Sequence, residues 1–453
     1  MCVRLFAFLG FLATASGLAA CSGATPGSSL PQNGSSASGR ANGQKANNQI
    51  KHIVIMVQEN RSFDNLFATF PGADGATSGM THKGKIIPLR ERNLAALDIN
   101  HNYKTYMQDY DNGKMDGFDL SGIGGNHPAG IYPYQYVNPA QIQPYWDLAT
   151  DYVLADHMFQ TQGSGSFTAH QDLIAGATVV DPTDSIVDDP SSSWEWGCDA
   201  KPGTSTSLIT TSGQYLFDQG PFPCLTYSTI RDLLDARSVS WKYYTPPHRG
   251  NTPGALWNAF DAVAAVRYGS EWTTNISIPE TNIFSDITNG QLAAVSWVIP
   301  DQVNSDHPQS THSEYDGPSW VASVVNAIGT SGYWNSTAII ILWDDWGGFY
   351  DHEPPAFFDN AGGLGFRVPM IAVAAYVKPG RISHTQYEFG SVLKYVEQTF
   401  NLGSLGTTDA RATSIGNLFN LAQPPLPFKP IPSMRSRNYF IHRMPSYSPV
   451  DTE

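Results

Sequence analysis

Side chains with amide or carboxylate oxygens directly follow two apolar runs that lie far apart in this chain, at residues 53–57 and 338–343. These side chains are Glu59, Asn60, Asp344 and Asp345. Short runs rich in β-branched residues are typical of buried strands in a parallel sheet, and ligands bind where such strands end. One amide and three carboxylates in a small volume repel one another unless a cation lies between them. The sequence therefore predicts a divalent metal site, which in turn indicates an enzyme.

A glycine-rich loop at residues 162–170 is the candidate source of a nucleophile. Its serine, Ser166, precedes a predicted helix, and a helix N-terminus favours an anion through its backbone N–H groups and its dipole. A serine hydroxyl activated by a metal needs no histidine base. The alternative is a serine that only caps the helix. Both interpretations stay open on this segment alone.

The elements that must hold these groups alternate along the chain. We predict strands at residues 53–57, 152–155, 239–244, 295–299, 338–343 and 369–377, and helices at residues 62–67, 166–175, 230–236, 320–328 and 391–400. This alternation predicts an α/β fold with a mostly parallel central sheet and helices on both faces. We expect loop-rich insertions at residues 70–150 and 178–225, and an extended arm after residue 421.

Size and charge narrow the possible classes of protein. The chain has 453 residues and a formal net charge of −14. An acidic surface argues against nucleic acid as a partner. The length beyond the N-terminal segments is enough for one large α/β domain with insertions, or for two domains.

The N-terminal segment has the features of an export signal. Residues 1–20 combine an early cation, an apolar stretch and small residues, which is typical of a secretory signal. Their Leu-Ala-Ala ending before Cys21 resembles a bacterial lipobox, in which Cys21 would be lipid-modified. The alternative is an ordinary cleaved signal with an incidental cysteine. Residues 21–49 are polar and predicted to be a flexible tether, and residues 50–453 to be the folded domain. We expect an exported, membrane-anchored lipoprotein that faces the periplasm or the cell exterior.

Two cysteines lie outside the leader, Cys198 and Cys224. In an exported protein such a pair is most simply a disulfide bond. A pair of thiol metal ligands is the alternative, although no histidine or further cysteine stands at zinc-finger spacing beside them.

Two longer segments resemble motifs of a known family. They are IVIMVQENRSFDNLF at residues 53–67 and DDWGGFYDH at residues 344–352. They resemble the two signatures of a bacterial phosphoesterase family that contains exported phospholipases C and a group of acid phosphatases. Shorter matches lie at residues 114–118, 306–308, 365–369 and 383–388. The resemblance implies an alkaline-phosphatase-like fold and a metal-assisted attack on phosphorus by a side-chain hydroxyl.

The resemblance also implies roles for particular residues. The family's metal ligands map onto the four side chains already proposed from the strand ends. Aligned through His170, the family's nucleophile falls on Ser166, which would then also contact the metal. The loop departs from the family's pattern at three positions, so Ser164 and Thr168 remain alternatives for the nucleophile.

Histidines complete the expected site. His101 and His307 fall in or near the family matches, which implies that they donate to phosphate oxygens and protonate the leaving group. His248 and His352 are weaker candidates for the substrate pocket. Because the expected ligands are oxygens, Mg²⁺, Ca²⁺ or Mn²⁺ is favoured over Zn²⁺.

The predicted function is therefore an exported, metal-dependent phosphoric-ester hydrolase. Two substrate classes compete, small phosphomonoesters and the phosphodiesters of phospholipids, and a serine nucleophile leans slightly towards an acid phosphatase. A different class is an inactive lipoprotein that binds phosphorylated ligands. A sulfatase of the same broad fold would need a C/S-x-P-x-R motif, which the sequence lacks.

Overall fold

The computed structural model of the chain describes residues 49–124, 127–308, 315–356 and 363–450. These residues belong to one compact unit, Lys45–Glu453. The predicted signal at residues 1–20, the predicted lipidation at Cys21 and all but the last residue of the predicted tether lie outside the described residues. No helix within the described ranges is long and apolar enough to cross a membrane.

The described residues form twenty strands and thirteen α-helices, joined by short 3₁₀ turns. The strands are β1 His52–Gln58, β2 Ser78–Met80, β3 Ile86–Pro88, β4 Arg90–Arg92, β5 Gly122–Ile123, β6 His127–Pro128, β7 Gln135–Val137, β8 Val153–Ala155, β9 Met158–Phe159, β10 Val179–Asp181, β11 Asp184–Val187, β12 Ser207–Thr210, β13 Tyr215–Leu216, β14 Trp241–Tyr244, β15 Ile276–Ser277, β16 Val295–Val298, β17 Thr337–Trp343, β18 Met370–Ala374, β19 Arg381–Ser383 and β20 Tyr387–Glu388. The helices are α1 Phe63–Phe67, α2 Tyr103–Tyr110, α3 Gln143–Asp151, α4 Ser166–Ala175, α5 Ile230–Ala236, α6 Pro253–Leu256, α7 Ala264–Arg267, α8 Glu271–Thr274, α9 Asn282–Thr288, α10 Asp316–Gly329, α11 Phe389–Phe400, α12 Thr408–Arg411 and α13 Arg437–His442.

A central sheet of eight strands organises the molecule, in the order β15-β14-β16-β1-β17-β18-β8-β19. Only β18 runs antiparallel to its two neighbours, and the other neighbouring pairs in this sheet are parallel. Helices flank the sheet, so its middle strands are buried along their length and are apolar almost without interruption. This is the mostly parallel α/β fold that the alternating pattern predicted.

The two strands that were expected to carry the metal ligands are direct neighbours. β1 and β17 pair in parallel over seven positions, from His52 opposite Thr337 to Gln58 opposite Trp343. Their last residues therefore lie side by side at the carboxyl edge of the sheet. The residues that follow them, 59–60 and 344–345, are brought together by this register.

Several predicted elements differ from the observed ones. α10 begins at Asp316, four residues before the predicted start at residue 320, and β18 is shorter than the run predicted at residues 369–377. The segment at residues 70–150 was expected to be irregular but contains α2 and α3. α2 begins after Asn102, whose side chain accepts a hydrogen bond from the backbone N–H of Thr105. This is a cap signal that was present in the sequence.

The second insertion, at residues 178–225, contains a four-stranded antiparallel sheet, β10-β11-β12-β13. Cys198 and Cys224 form a disulfide bond within it, which confirms the predicted pairing. The tail after residue 421 is largely extended but ends in α13. It packs against the core, because Phe428 contacts the ring of Trp334 and the Asn326 side chain donates to the carbonyl of Ile431.

Candidate active site

The ends of β1 and β17 are joined by hydrogen bonds from backbone N–H groups, which place four polar side chains together. The N–H of Asp344 donates to the carbonyl of Gln58 at 3.0 Å, and the N–H of Asn60 donates to Oδ1 of Asp344 at 2.9 Å. Asn60 has a φ of +54°, a conformation that non-glycine residues adopt rarely and often at functional sites. A Cβ on Gly347 would lie 2.2 Å from the carbonyl oxygen of Asn60, so the close approach of the two loops requires glycine there.

Ser166 lies beside these groups at the N-terminus of α4. Its hydroxyl donates to Oδ2 of Asp345 at 3.2 Å and accepts from Nδ2 of Asn60 at 3.3 Å. The alternatives for the nucleophile point elsewhere. The hydroxyl of Ser164 accepts from the N–H of Asp188, and that of Thr168 donates to the carbonyl of the same residue. Of the three hydroxyls, that of Ser166 is the one that the structure places on the predicted ligands.

His101 contacts the same cluster from another side. Its Nε2 lies 2.7 Å from Nδ2 of Asn60 and 3.8 Å from Oδ2 of Asp345. Its Nδ1 lies 2.7 Å from the carbonyl oxygen of Ile99, which only accepts hydrogen bonds. The proton of the neutral ring is therefore on Nδ1, and Nε2 is left as an acceptor directed at the cluster.

His170 is part of the cluster, although the sequence analysis used it only to align the nucleophile. Its Nε2 lies 2.9 Å from Oε1 of Glu59 and 3.9 Å from Oδ2 of Asp344. Glu59, His170 and Asp344 together offer ligand atoms that lie within 4.8 Å of one another. Burial lowers the pKa of His170 to about 4, so its ring is neutral at pH 7 and able to bind a metal.

The buried carboxylates of this cluster favour a bound cation. Burial, reinforced by the carboxylate of Asp344, raises the pKa of both Glu59 and Asp345 well above the usual range. Three buried oxygens, Oε2 of Glu59, Oδ1 of Asn60 and Oδ2 of Asp344, find no hydrogen-bond partner among the described residues. Buried polar atoms are rarely left unpaired in a native protein. These residues therefore fit a divalent metal ion, which would pair the oxygens and neutralise the carboxylates.

His307 is linked to His170 of this cluster through aromatic contacts with Trp257. Its ring stacks on the indole of Trp257, with centroids 5.6 Å apart, and the same indole lies parallel to the ring of His170 at 6.5 Å. The preceding residue, Asp306, has a φ of +72° and accepts a hydrogen bond from the hydroxyl of Tyr145. The hydrogen bond of Tyr145 to Asp306 therefore fixes the backbone next to His307.

Comparison with known proteins identifies the family. Residues 50–403 match the sequence profile of the Phosphoesterase family. The chain belongs to the Phosphoesterase family. Phospholipase C B of Mycobacterium tuberculosis is 24% identical over 451 residues, which cover 84% of this chain and 80% of the relative. Non-hemolytic phospholipase C of Pseudomonas aeruginosa is 23% identical, over 83% of this chain and 58% of the relative. The protein is accordingly a hydrolase that acts on phosphate ester bonds.

Among the solved structures that align with this chain, one serves as an example. It is described as a protein in the alkaline phosphatase superfamily from Vibrio parahaemolyticus and aligns with a TM-score of 0.38 at 11% identity. The alignment covers 80% of this chain and 70% of the other. A similarity of this degree carries no argument about the site of this phosphoesterase.

The structure places two predicted substrate residues in other clusters. His248 lies 3.4 Å from Asp199 and 3.5 Å from Asp261, and Arg267 bridges both carboxylates. Nδ1 of His352 lies 2.8 Å from Oδ2 of Asp64, beside a buried arginine. His352 also lies 3.5 Å from Asp74, and none of the hydrogen bonds and ion pairs of these two histidines within the described ranges is to the Ser166 cluster.

Two residues of the site were missed by the sequence analysis, His170 as a candidate ligand and Trp257 as its neighbour. A signal for the first was available, since His170 follows Ser166 by four residues and such residues share one face of a helix. No local pattern marks Trp257, which reaches the site from the segment after α6.

Proposed function

We propose that this phosphoesterase is an exported, metal-dependent hydrolase that uses Ser166 as its nucleophile and acts on the phosphodiester of phospholipids. The observation that carries the proposal is the position of the Ser166 hydroxyl. It lies at a helix N-terminus, within hydrogen-bond distance of Asp345 and Asn60, beside a buried carboxylate cluster that fits a metal.

In the proposed first step, the oxygen of Ser166 forms a bond to phosphorus and the bond from phosphorus to the leaving oxygen breaks. The carboxylate of Asp345 accepts a hydrogen bond from the hydroxyl and is the nearest group that can take its proton. The positive end of the α4 dipole stabilises the alkoxide that develops there. The leaving alcohol is the lipid part of the substrate, and the phosphoryl group on Ser166 keeps the headgroup. In the second step water cleaves the bond from the Ser166 oxygen to phosphorus, which releases the phosphorylated headgroup and restores the free hydroxyl.

Three further side chains take part in this chemistry in the proposal. Asn60 donates to the Ser166 oxygen and lies against Nε2 of His101, so it fixes the direction of the hydroxyl. His307 supplies the proton that the leaving alcohol needs, and His101 binds a phosphate oxygen when it is protonated.

The proposed metal ligands are Glu59, Asn60, Asp344, Asp345, His170 and the Ser166 oxygen. A divalent ion bound there supplies positive charge for the nucleophile and for the phosphoryl oxygens. The sequence favoured Mg²⁺, Ca²⁺ or Mn²⁺ because all expected ligands were oxygens. Since an imidazole suits zinc as well, His170 removes that reason to disfavour Zn²⁺.

The choice of substrate class rests on the relatives. Both relatives described above are named phospholipase C, and one is matched over 80% of its length, which supports a phospholipid substrate. A phosphomonoesterase of the acid phosphatase type is the second candidate, and the serine at the nucleophile position favours it. A phospholipid substrate also agrees with the proposed signal at residues 1–20 and lipid anchor at Cys21, which would hold the enzyme at a membrane.

The experiment that tests this function is turnover of phosphatidylcholine against a chromogenic phosphomonoester, each with and without chelator. We expect release of the phosphorylated headgroup, loss of the activity with EDTA, and recovery with a divalent metal. Faster turnover of the monoester would favour the acid phosphatase. Absence of turnover with either substrate, in protein that binds metal, would favour an inactive phosphoryl-binding lipoprotein.

A further inference from the structure

One side chain packs against two of the histidines that the proposed mechanism needs, His170 and His307. The indole of Trp257 is only 1% exposed and lies parallel to the ring of His170, with an interplanar angle of 4°. It also stacks on His307 with an interplanar angle of 23°. These two histidines come from α4 and from the loop after β16, so Trp257 joins two elements that are distant in sequence.

The position of Trp257 is itself fixed by the central sheet. Its carbonyl accepts a hydrogen bond from the hydroxyl of Tyr243 at 3.1 Å, and the same hydroxyl accepts from the N–H of Ala259 at 3.2 Å. Tyr243 belongs to β14 and lies opposite Trp297 of β16. The segment that carries the indole is therefore tied to a strand two places from β1 and cannot shift independently of the sheet.

Flat stacking of this kind restricts an imidazole. A ring that lies parallel to a buried indole cannot rotate about its Cβ–Cγ bond without losing that contact or colliding with it. For His170 the retained orientation directs Nε2 at Glu59 and Asp344. Neighbouring groups that orient metal-binding histidines matter to a site nearly as much as the ligands themselves.

We propose that Trp257 is a positioning residue of this phosphoesterase, whose indole holds His170 for metal binding and His307 for protonation of the leaving group. The proposal rests on the proposed function, in which those two histidines have these roles. It adds a residue that touches neither the metal nor the substrate and acts only through the two rings.

The test uses metal binding as a readout that does not depend on turnover. Mn²⁺ is titrated into metal-free full-length protein by calorimetry, for wild type, Trp257→Leu and Trp257→Phe. We expect Trp257→Leu to weaken Mn²⁺ binding by about tenfold or more and to lower kcat more than it raises KM. Trp257→Phe keeps an aromatic face and should stay within about threefold of wild type. If Trp257→Leu does not fold, Trp257→Met replaces it in the same comparison.

Trp241→Leu is the matched control, since Trp241 is also buried and its ring also packs near this segment, against Phe260. It should lower the Tm as Trp257→Leu does while leaving Mn²⁺ affinity unchanged. A double-mutant cycle then asks whether Trp257 acts through His170. In the His170→Gln background, Trp257→Leu should cause little further loss of Mn²⁺ affinity.

The outcomes separate this inference from the proposed function. Folded Trp257→Leu protein with wild-type Mn²⁺ affinity and kcat would overturn the positioning role, whatever Ser166→Ala does. A loss of Mn²⁺ affinity that is the same with and without His170 would also overturn it, because the effect would then be general. If Asp345→Ala retains full activity and wild-type protein binds no metal, the proposed function fails and this inference fails with it.

Discussion

Replacement of the proposed nucleophile gives the sharpest test of the site. Ser166→Ala should lower kcat by at least about a thousandfold, because only binding and electrostatic effects remain after the attacking group is removed. A thousandfold loss corresponds to about 4 kcal/mol of transition-state stabilisation.

The same change should leave the fold nearly unaffected. Asn60 keeps its contact with His101 at 2.7 Å, and Oδ1 of Asp345 still accepts from the N–H of Gly347 at 2.7 Å. Removal of the hydroxyl therefore leaves no strong hydrogen-bond donor without a partner. The free energy of unfolding should change by no more than about 1 kcal/mol. A large loss of kcat with an unchanged Tm is the expected combination.

The assay compares Ser166→Ala with Ser164→Ala and Thr168→Ala, which lie in the same segment but whose hydroxyls contact Asp188. Initial rates on the better substrate give kcat and KM for each variant. Rapid acid quenching followed by peptide mass spectrometry should find a phosphoryl group on the peptide that contains Ser166. Both control variants should keep most of the wild-type rate.

Two results would refute this reasoning. If Ser164→Ala or Thr168→Ala is the inactive variant, the alignment through His170 is wrong by two residues. If all three variants remain active, water attacks phosphorus directly and the covalent mechanism must be abandoned.

Three further predictions concern charge and stability. Asp345→Ala should abolish turnover in folded protein, and wild-type rates with unchanged metal content would remove Asp345 from the site. Reduction of Cys198–Cys224, which are 26 residues apart, should lower the free energy of unfolding by about 3–4 kcal/mol, and intact-mass analysis after alkylation without reductant should find neither thiol free. Burial lowers the pKa of His352, but its hydrogen bond to Asp64 outweighs burial and raises the pKa to about 9. The contribution of His352 to the free energy of unfolding is therefore complete below about pH 6.5 and is lost as the pH rises through 9. Because the ring is partly exposed, we expect this contribution to be no more than about 2 kcal/mol. It is measured as the difference in the free energy of unfolding by urea between wild type and His352→Gln. A difference that persists unchanged at pH 10 would contradict this prediction.

The sequence alone was sufficient for six of the eight strands of the central sheet, all but the short edge strands β15 and β19, and for which strands carry the polar residues at its edge. The runs at residues 53–57 and 338–343 are so apolar and so rich in β-branched side chains that they predict strands buried on both faces. The polar residues that follow them then have to meet wherever the two strands pair. That pairing is observed, since β1 and β17 are parallel neighbours.

The sequence did not decide which hydroxyl faces the cluster. Ser164, Ser166 and Thr168 lie within five residues, and their directions depend on where α4 begins. A helix turns by about 100° per residue, so a start displaced by one residue would present a different side chain to Asp345. The start at Ser166 follows from the packing of the whole loop, including the bonds of Ser164 and Thr168 to Asp188.

Only the tertiary structure decided where the histidines lie and what holds them. His170 reaches Glu59 across 111 positions of sequence, and Trp257 reaches both His170 and His307 from a separate segment. His248 and His352 have equally suitable chemistry, but the fold pairs them with Asp261 and Asp64 instead. Local sequence sets the preference of each segment for helix or strand, whereas contacts of this range depend on how the finished elements pack and rotate against one another.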